Sequence, residues 1–128
     1  MADLKNKKIL ITEDDPSFMR FLAYLLGKEG YEVISASNGL EGLVKAQEEK
    51  PDILILDVML PGMDGFEVCS RLRSEPQTAR LPILMLSAKG QDADRATGLK
   101  VGADVYLNKP VERSLLLSTI ESLLAKNK

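Results

Sequence analysis

Asp52-Ile53-Leu54-Ile55-Leu56-Asp57 is an apolar run that closes on a carboxylate, and Lys8-Ile9-Leu10-Ile11-Thr12 runs in the same way into Glu13-Asp14-Asp15. Short, continuous runs of Ile and Leu fit strands buried on both faces, the kind that build parallel sheets. In an open parallel α/β sheet the carboxyl ends of the strands form the ligand edge, so both runs deliver acid to one crevice. Two carboxylates about 4 Å apart repel by roughly 4 kcal/mol at an effective dielectric near 20. Such a cluster needs a cation or protons to persist.

Outward from these runs, the apolar period alternates along the whole chain. Strand-like segments fall at about 8–13, 31–36, 52–57, 83–87 and 104–108, with helical patterns between them. Phe18, Phe21, Leu22, Leu25 and Leu26 recur at the spacing of one helix face, as do Leu116, Ile120, Leu123 and Leu124. Helix starts are marked by Asp15-Pro16, Asn38-Gly39-Leu40-Glu41 and Asp64-Gly65-Phe66-Glu67, where a side-chain acceptor precedes Pro or stands three residues before Glu. Gly30, Lys50-Pro51 and Gly102 supply stops. Strands and helices alternating five times over short loops predict an α/β fold: a (βα)5 doubly wound domain, its five-stranded parallel sheet flanked by helices on both faces.

A chain of 128 residues fits a single domain with one core. A net charge of -2 provides no basic field for nucleic acid. No apolar stretch reaches the ~20 residues of a membrane span. The opening Met-Ala-Asp-Leu-Lys-Asn-Lys-Lys is charged and unlike a signal peptide, so a cytoplasmic location is expected. Cys69 stands alone and is read as a small packing residue. With no histidine in the chain, His-based zinc sites, catalytic triads and phosphohistidine carriers are excluded together.

The polar residues at the strand ends are Glu13 and Asp14 on the first, Asp57 on the third, Ser87 on the fourth and Lys109, before Pro110, on the fifth. Singly each has a bland reading: Asp14 and Asp15 as helix caps, Ser87 as a turn residue, Lys109 as a solvated charge. Jointly they make a divalent-cation site beside a nucleophile, with a hydroxyl and an ammonium for phosphoryl oxygens.

On these residues the chain resembles a response-regulator receiver domain, the phospho-accepting module of two-component signalling. The matching stretches are Glu13-Asp14, Leu56-Asp57-Val58-Met59-Leu60-Pro61-Gly62-Met63-Asp64-Gly65, Leu86-Ser87-Ala88, Gly102-Ala103-Asp104-Val105-Tyr106-Leu107 and Lys109-Pro110. The departures are Val111, where an aromatic is common, and Asn108, where Thr is frequent. The resemblance implies a flavodoxin-like sheet of order 2-1-3-4-5, a cis peptide before Pro110, a tail at 1–7 and a receiver domain at 8–126. It implies that Asp57 takes a phosphoryl group from a histidine kinase, a histidine phosphotransfer protein or a small acyl phosphate. Mg²⁺, with Mn²⁺ as a substitute, would be held by Asp14, Asp57 and the Met59 carbonyl, with Glu13 acting through water. Ser87 would donate to a phosphoryl oxygen, and Lys109 would pair with Asp57 before transfer and with the phosphoryl group after it. Met59 and Lys89 resemble positions that set self-hydrolysis. Ser87 and Tyr106 would form the switch that couples phosphate to the face of the fourth helix, fifth strand and fifth helix. That face, with Leu115 and Leu117 as candidate contacts, would meet an effector protein or a second copy. Neither nucleic acid nor membrane is an expected partner of this chain, which is either a stand-alone regulator or an excised receiver.

Three other readings compete. A dehalogenase-type Mg²⁺-dependent phosphatase needs a second Asp two residues beyond the nucleophile, where Met59 stands. A flavodoxin-like cofactor binder needs Ser, Thr and Gly donors in its first loop, which here is Glu-Asp-Asp-Pro and would repel a phosphate. A phosphorylation-independent scaffold would keep the fold without the intact set of functional side chains.

Overall fold

Among the residues that the computed structural model describes, 6–88 and 92–126, five short runs form a sheet. They are β1 (Lys8–Thr12), β2 (Glu32–Ala36), β3 (Ile53–Asp57), β4 (Ile83–Ser87) and β5 (Val105–Asn108). All pairings are parallel, in the order β2-β1-β3-β4-β5. Every residue of β3 and β4 is buried, which explains their unbroken apolar sequences. The edge strands β2 and β5 are only partly covered. Thr12 lies opposite Leu56 and Asp57 opposite Leu86, so the acids that end β1 and β3 arrive at the same level.

The intervening helices are α1 (Pro16–Lys28), α2 (Gly39–Glu49), α3 (Gly65–Arg73), α4 (Asp92–Lys100) and α5 (Arg113–Lys126). Asp15, Asn38 and Asp64 cap the first three, each accepting a hydrogen bond from a first-turn backbone N–H. The expected stops at Gly30 and Gly102 have φ of 95° and 114°, and Lys50 ends α2 in the left-handed region.

Because strand side chains alternate, the two sheet faces carry separate cores. Ile9, Ile11, Ile53, Ile55, Leu84 and Leu86 pack with the apolar stripes of α1 and α5. Leu10, Leu54, Leu56, Ile83 and Met85 pack with α2 and α3. Each fully buried Leu or Ile contributes about 1.5–3 kcal/mol, so these two layers dominate the stability of the fold. Cys69 lies in the second core, its thiol beside the Val101 carbonyl at 3.6 Å, and burial pushes its pKa up to about 11.

Several boundaries differ slightly from the sequence expectation. The run expected at 104–108 pairs only from Val105, because the Asp104 carboxylate accepts from the Ile83 N–H at 2.8 Å and from Arg73 at 3.0 Å. Arg73 also donates to the carbonyls of Gly102 and Leu81, tying the end of α3 to the amino ends of β4 and β5. Lys89 lies outside the described residues. No helix among the described residues is long and apolar enough to cross a membrane.

Candidate functional site

The register that aligns β1 with β3 brings Glu13 and Asp57 together beneath the surface, at 3% and 5% exposure, with exposed Asp14 at the rim. One carboxylate oxygen from each of the three lies within 4.8 Å of the others. Lys109, delivered from the end of β5, places its ammonium 2.8 Å from Glu13 Oε1 and 3.3 Å from Asp57 Oδ2. The expected Lys109–Asp57 pair is therefore present, but the shorter contact is to Glu13. The Lys109–Pro110 peptide is cis, as the resemblance implies.

Backbone donors hold both buried acids in place. Asp15 N–H donates to Glu13 Oε2 at 3.0 Å, and Met59 N–H donates to Asp57 Oδ1 at 3.2 Å. Gly65 is required nearby, since a Cβ there would run into the Asp57 carbonyl. Burial, and then the charge of Glu13, raise the Asp57 pKa to about 6, against the opposing pull of Lys109 and the Met59 N–H. Burial alone would lower the Lys109 pKa, but the Glu13 hydrogen bond and the Asp57 charge more than offset it, leaving it raised.

Ser87 is fully buried at the end of β4, its hydroxyl donating to the Ala88 carbonyl at 3.1 Å. Its own carbonyl accepts from the Lys109 N–H at 2.7 Å, linking the hydroxyl and ammonium positions through the backbone. Tyr106 is already turned inward, 1% exposed, with its ring against Gly98 of α4. The two departures from the family pattern are accommodated: Asn108 reaches the Ala88 carbonyl at 3.4 Å, and Val111 packs on the α1/α5 core. Met59 is 61% exposed beside the crevice.

Sequence reasoning missed one neighbour. Phe18, read from sequence as part of the apolar face of the first helix, lies with its ring centroid 4.6 Å from the Lys109 ammonium. Aromatic spacing on a helix gives no sign of such a contact, because the partner is far along the chain. The cleft beside Glu13 and Asp14 measures about 330 Å³, whereas a larger one of about 500 Å³ opens between Lys7, Lys50, Arg80 and Pro82, away from the acids.

Chemically, the site offers only hard oxygen ligands, with one ammonium in contact with two of three carboxylates. This donor set fits a small divalent cation such as Mg²⁺, which would supply the positive charge that Lys109 alone does not.

Residues 9–121 match the family model described as response regulator receiver domain. The chain is 46% identical over 122 residues to the alkaline phosphatase synthesis transcriptional regulatory protein PhoP of Bacillus subtilis, covering 95% of this chain and 50% of that protein. It is 38% identical over 118 residues to PilH of Pseudomonas aeruginosa, covering 92% of this chain and 98% of that one. It thus spans about half the length of the transcriptional regulators it matches and nearly all of PilH. Its fold superposes, with a TM-score of 0.87 and 28% identity, on the receiver domain of a sensor histidine kinase from Pseudomonas aeruginosa, covering 94% of this chain and 98% of the other. That domain was solved with a magnesium ion coordinated in its active site cleft.

Proposed function

Because the chain belongs to the response regulator receiver domains, phospho-accepting switches of two-component signalling and not conventional enzymes, we propose that Asp57 is its acceptor and 8–126 its receiver unit. The observation that carries this reading is the convergence of Glu13, Asp14 and Asp57 at one strand edge, with Lys109 bonded to Asp57. A pKa of about 6 leaves Asp57 mostly ionised at neutral pH, as a nucleophile must be. A carboxylate oxygen of Asp57 attacks phosphorus, and the bond from phosphorus to the donor's imidazole nitrogen, or to the acyl oxygen of a small donor, breaks. Lys109 then turns from Asp57 toward the phosphoryl oxygens, and Ser87 donates to one of them.

Mg²⁺, when bound, neutralises charge between the acids and the incoming phosphoryl group. Asp14, Asp57 and the Met59 carbonyl would hold it. Glu13 has both oxygens engaged, by Lys109 and by the Asp15 N–H, which suits a role through water. The donor in the cell is a histidine kinase or histidine phosphotransfer protein, and the output is an effector or a second copy bound at the α4–β5–α5 face. The dehalogenase-type alternative is disfavoured because the residue two beyond Asp57 supplies a backbone N–H and an apolar side chain, not an acid.

Incubation with acetyl phosphate and Mg²⁺ should add one phosphoryl group, seen by intact-mass spectrometry. Asp57→Asn should abolish the adduct, and EDTA should suppress it. Undiminished labelling of the Asn variant overturns the assignment.

A further inference from the structure

We propose that Phe18 is a positioning residue for Lys109, its ring forming the third wall of a socket that holds the ammonium between Glu13 and Asp57. This rests on the phosphoryl-acceptor reading of Asp57. The ammonium has carboxylate oxygens at 2.8 Å and 3.3 Å on two sides and the Phe18 ring centroid at 4.6 Å on another. The negative face of an aromatic ring attracts a cation at this distance, more strongly where water is partly excluded. Lys109 is in such a place, its side chain 24% exposed.

Local structure explains why this ring faces the site. Asp15 caps α1 and Pro16 opens it, so Phe18 is the third helical residue. Helical side chains lean toward the amino end, which carries the ring toward the Lys109 ammonium. Phe21, one turn on, stacks on Phe18 with ring centroids 6.1 Å apart. A lysine has four rotatable side-chain bonds and gains entropy by leaving a fixed pose. The ring opposes that loss of order without offering an atom that would compete for the phosphoryl oxygens. It therefore confines the ammonium to an arc reaching Glu13, Asp57 and whatever Asp57 carries.

The test separates the ring's electrostatics from its volume. Phenylalanines with increasing fluorination, incorporated at position 18, remove the negative ring face while nearly preserving size. Across that series, the acetyl-phosphate labelling rate should fall progressively, by about two- to tenfold at full fluorination. Phe18→Leu should show a similar loss, and Phe18→Tyr should restore the rate. Ring-current shifts of the Lys109 side-chain methylene protons in the wild type, measured by NMR, should disappear in Phe18→Leu and persist in Phe18→Tyr. A labelling rate that is flat across the fluorinated series, or Lys109 shifts indifferent to Phe18→Leu, overturns the proposal; should the Leu variant not fold, the fluorinated series decides alone. Failure of the wild type to label at all would instead sink the acceptor reading, and the NMR comparison would still report whether the ring holds the ammonium.

Discussion

Asp57 carries a conflict that its side chain cannot settle alone. Its carboxyl is buried beside Glu13, and its pKa moves from 3.8 to about 6. A group whose folded pKa lies above its unfolded value binds more protons when folded, so its contribution to stability is present at low pH and is lost as pH rises through the interval. In EDTA, Asp57→Asn should therefore leave stability nearly unchanged near pH 4 and raise it above pH 6, by on the order of 1–3 kcal/mol. Urea denaturation at the two pH values checks this; a variant less stable than wild type at pH 7 would mean that the Lys109 pair outweighs the burial cost. A divalent cation held at the acidic cluster would remove the same conflict in the wild type. Mg²⁺ at a hundredfold excess over its dissociation constant should stabilise the fold by about 2.7 kcal/mol. Asp14→Ala should largely abolish the accompanying rise in melting temperature, and a wild-type melt indifferent to millimolar Mg²⁺ would contradict the site.

Helix α4 shows where a local reading of sequence stops. Gly98 interrupts the helix at a propensity cost of about 1 kcal/mol, and by sequence alone that marks a weak element. In the fold it is the point where Tyr106 and Met85 approach, and a Cβ there would lie 2.7 Å from the Tyr106 ring and 2.9 Å from Met85 Sδ. Gly98→Ala should gain helix propensity yet lose more to overpacking, which costs about 1–3 kcal/mol. The expected net effect is a loss of about 1 kcal/mol in urea denaturation, with Tyr106 displaced and its ring resonances shifted. A more stable variant with an unmoved Tyr106 would show that the contact has slack. Strand runs, caps at Asp15, Asn38 and Asp64, and the strand-end acids were all legible, because each depends on neighbours within a few residues or on the rule that parallel strands present their carboxyl ends together. Gly98 against Tyr106, Arg73 bonded to Asp104, and Phe18 over Lys109 were not. Those contacts join residues 8, 31 and 91 positions apart, and their geometry exists only after the sheet has formed.

How phosphate at Asp57 would be read across the molecule depends on how the elements beyond the site are held. Over the part of α4 whose burial is described, Arg95 to Lys100, attachment is light: Arg95, Ala96, Thr97, Leu99 and Lys100 are exposed and Gly98 is buried. Its ties to β5 include the Arg95 guanidinium on the Tyr106 carbonyl at 3.1 Å. Helix α5, by contrast, buries Leu116, Ile120, Leu123 and Leu124, while Leu115 is 47% exposed and Leu117 packs partly on the core. An element with few buried contacts is the one a small local change can move. Ser87 and Lys109 are joined by a backbone hydrogen bond of 2.7 Å, so a phosphoryl group that recruited both would pull on the ends of β4 and β5 together. Tyr106 is buried before any phosphoryl group is present, so the response should appear chiefly as a change in the population of α4 positions. Beryllofluoride with Mg²⁺ should therefore alter amide hydrogen exchange across α4, β5 and the start of α5, with Tyr106 remaining buried. If protection changes only around Glu13, Asp14, Asp57 and Lys109, the α4–β5–α5 face is not the output, and the domain is better understood as a relay that hands its phosphoryl group onward.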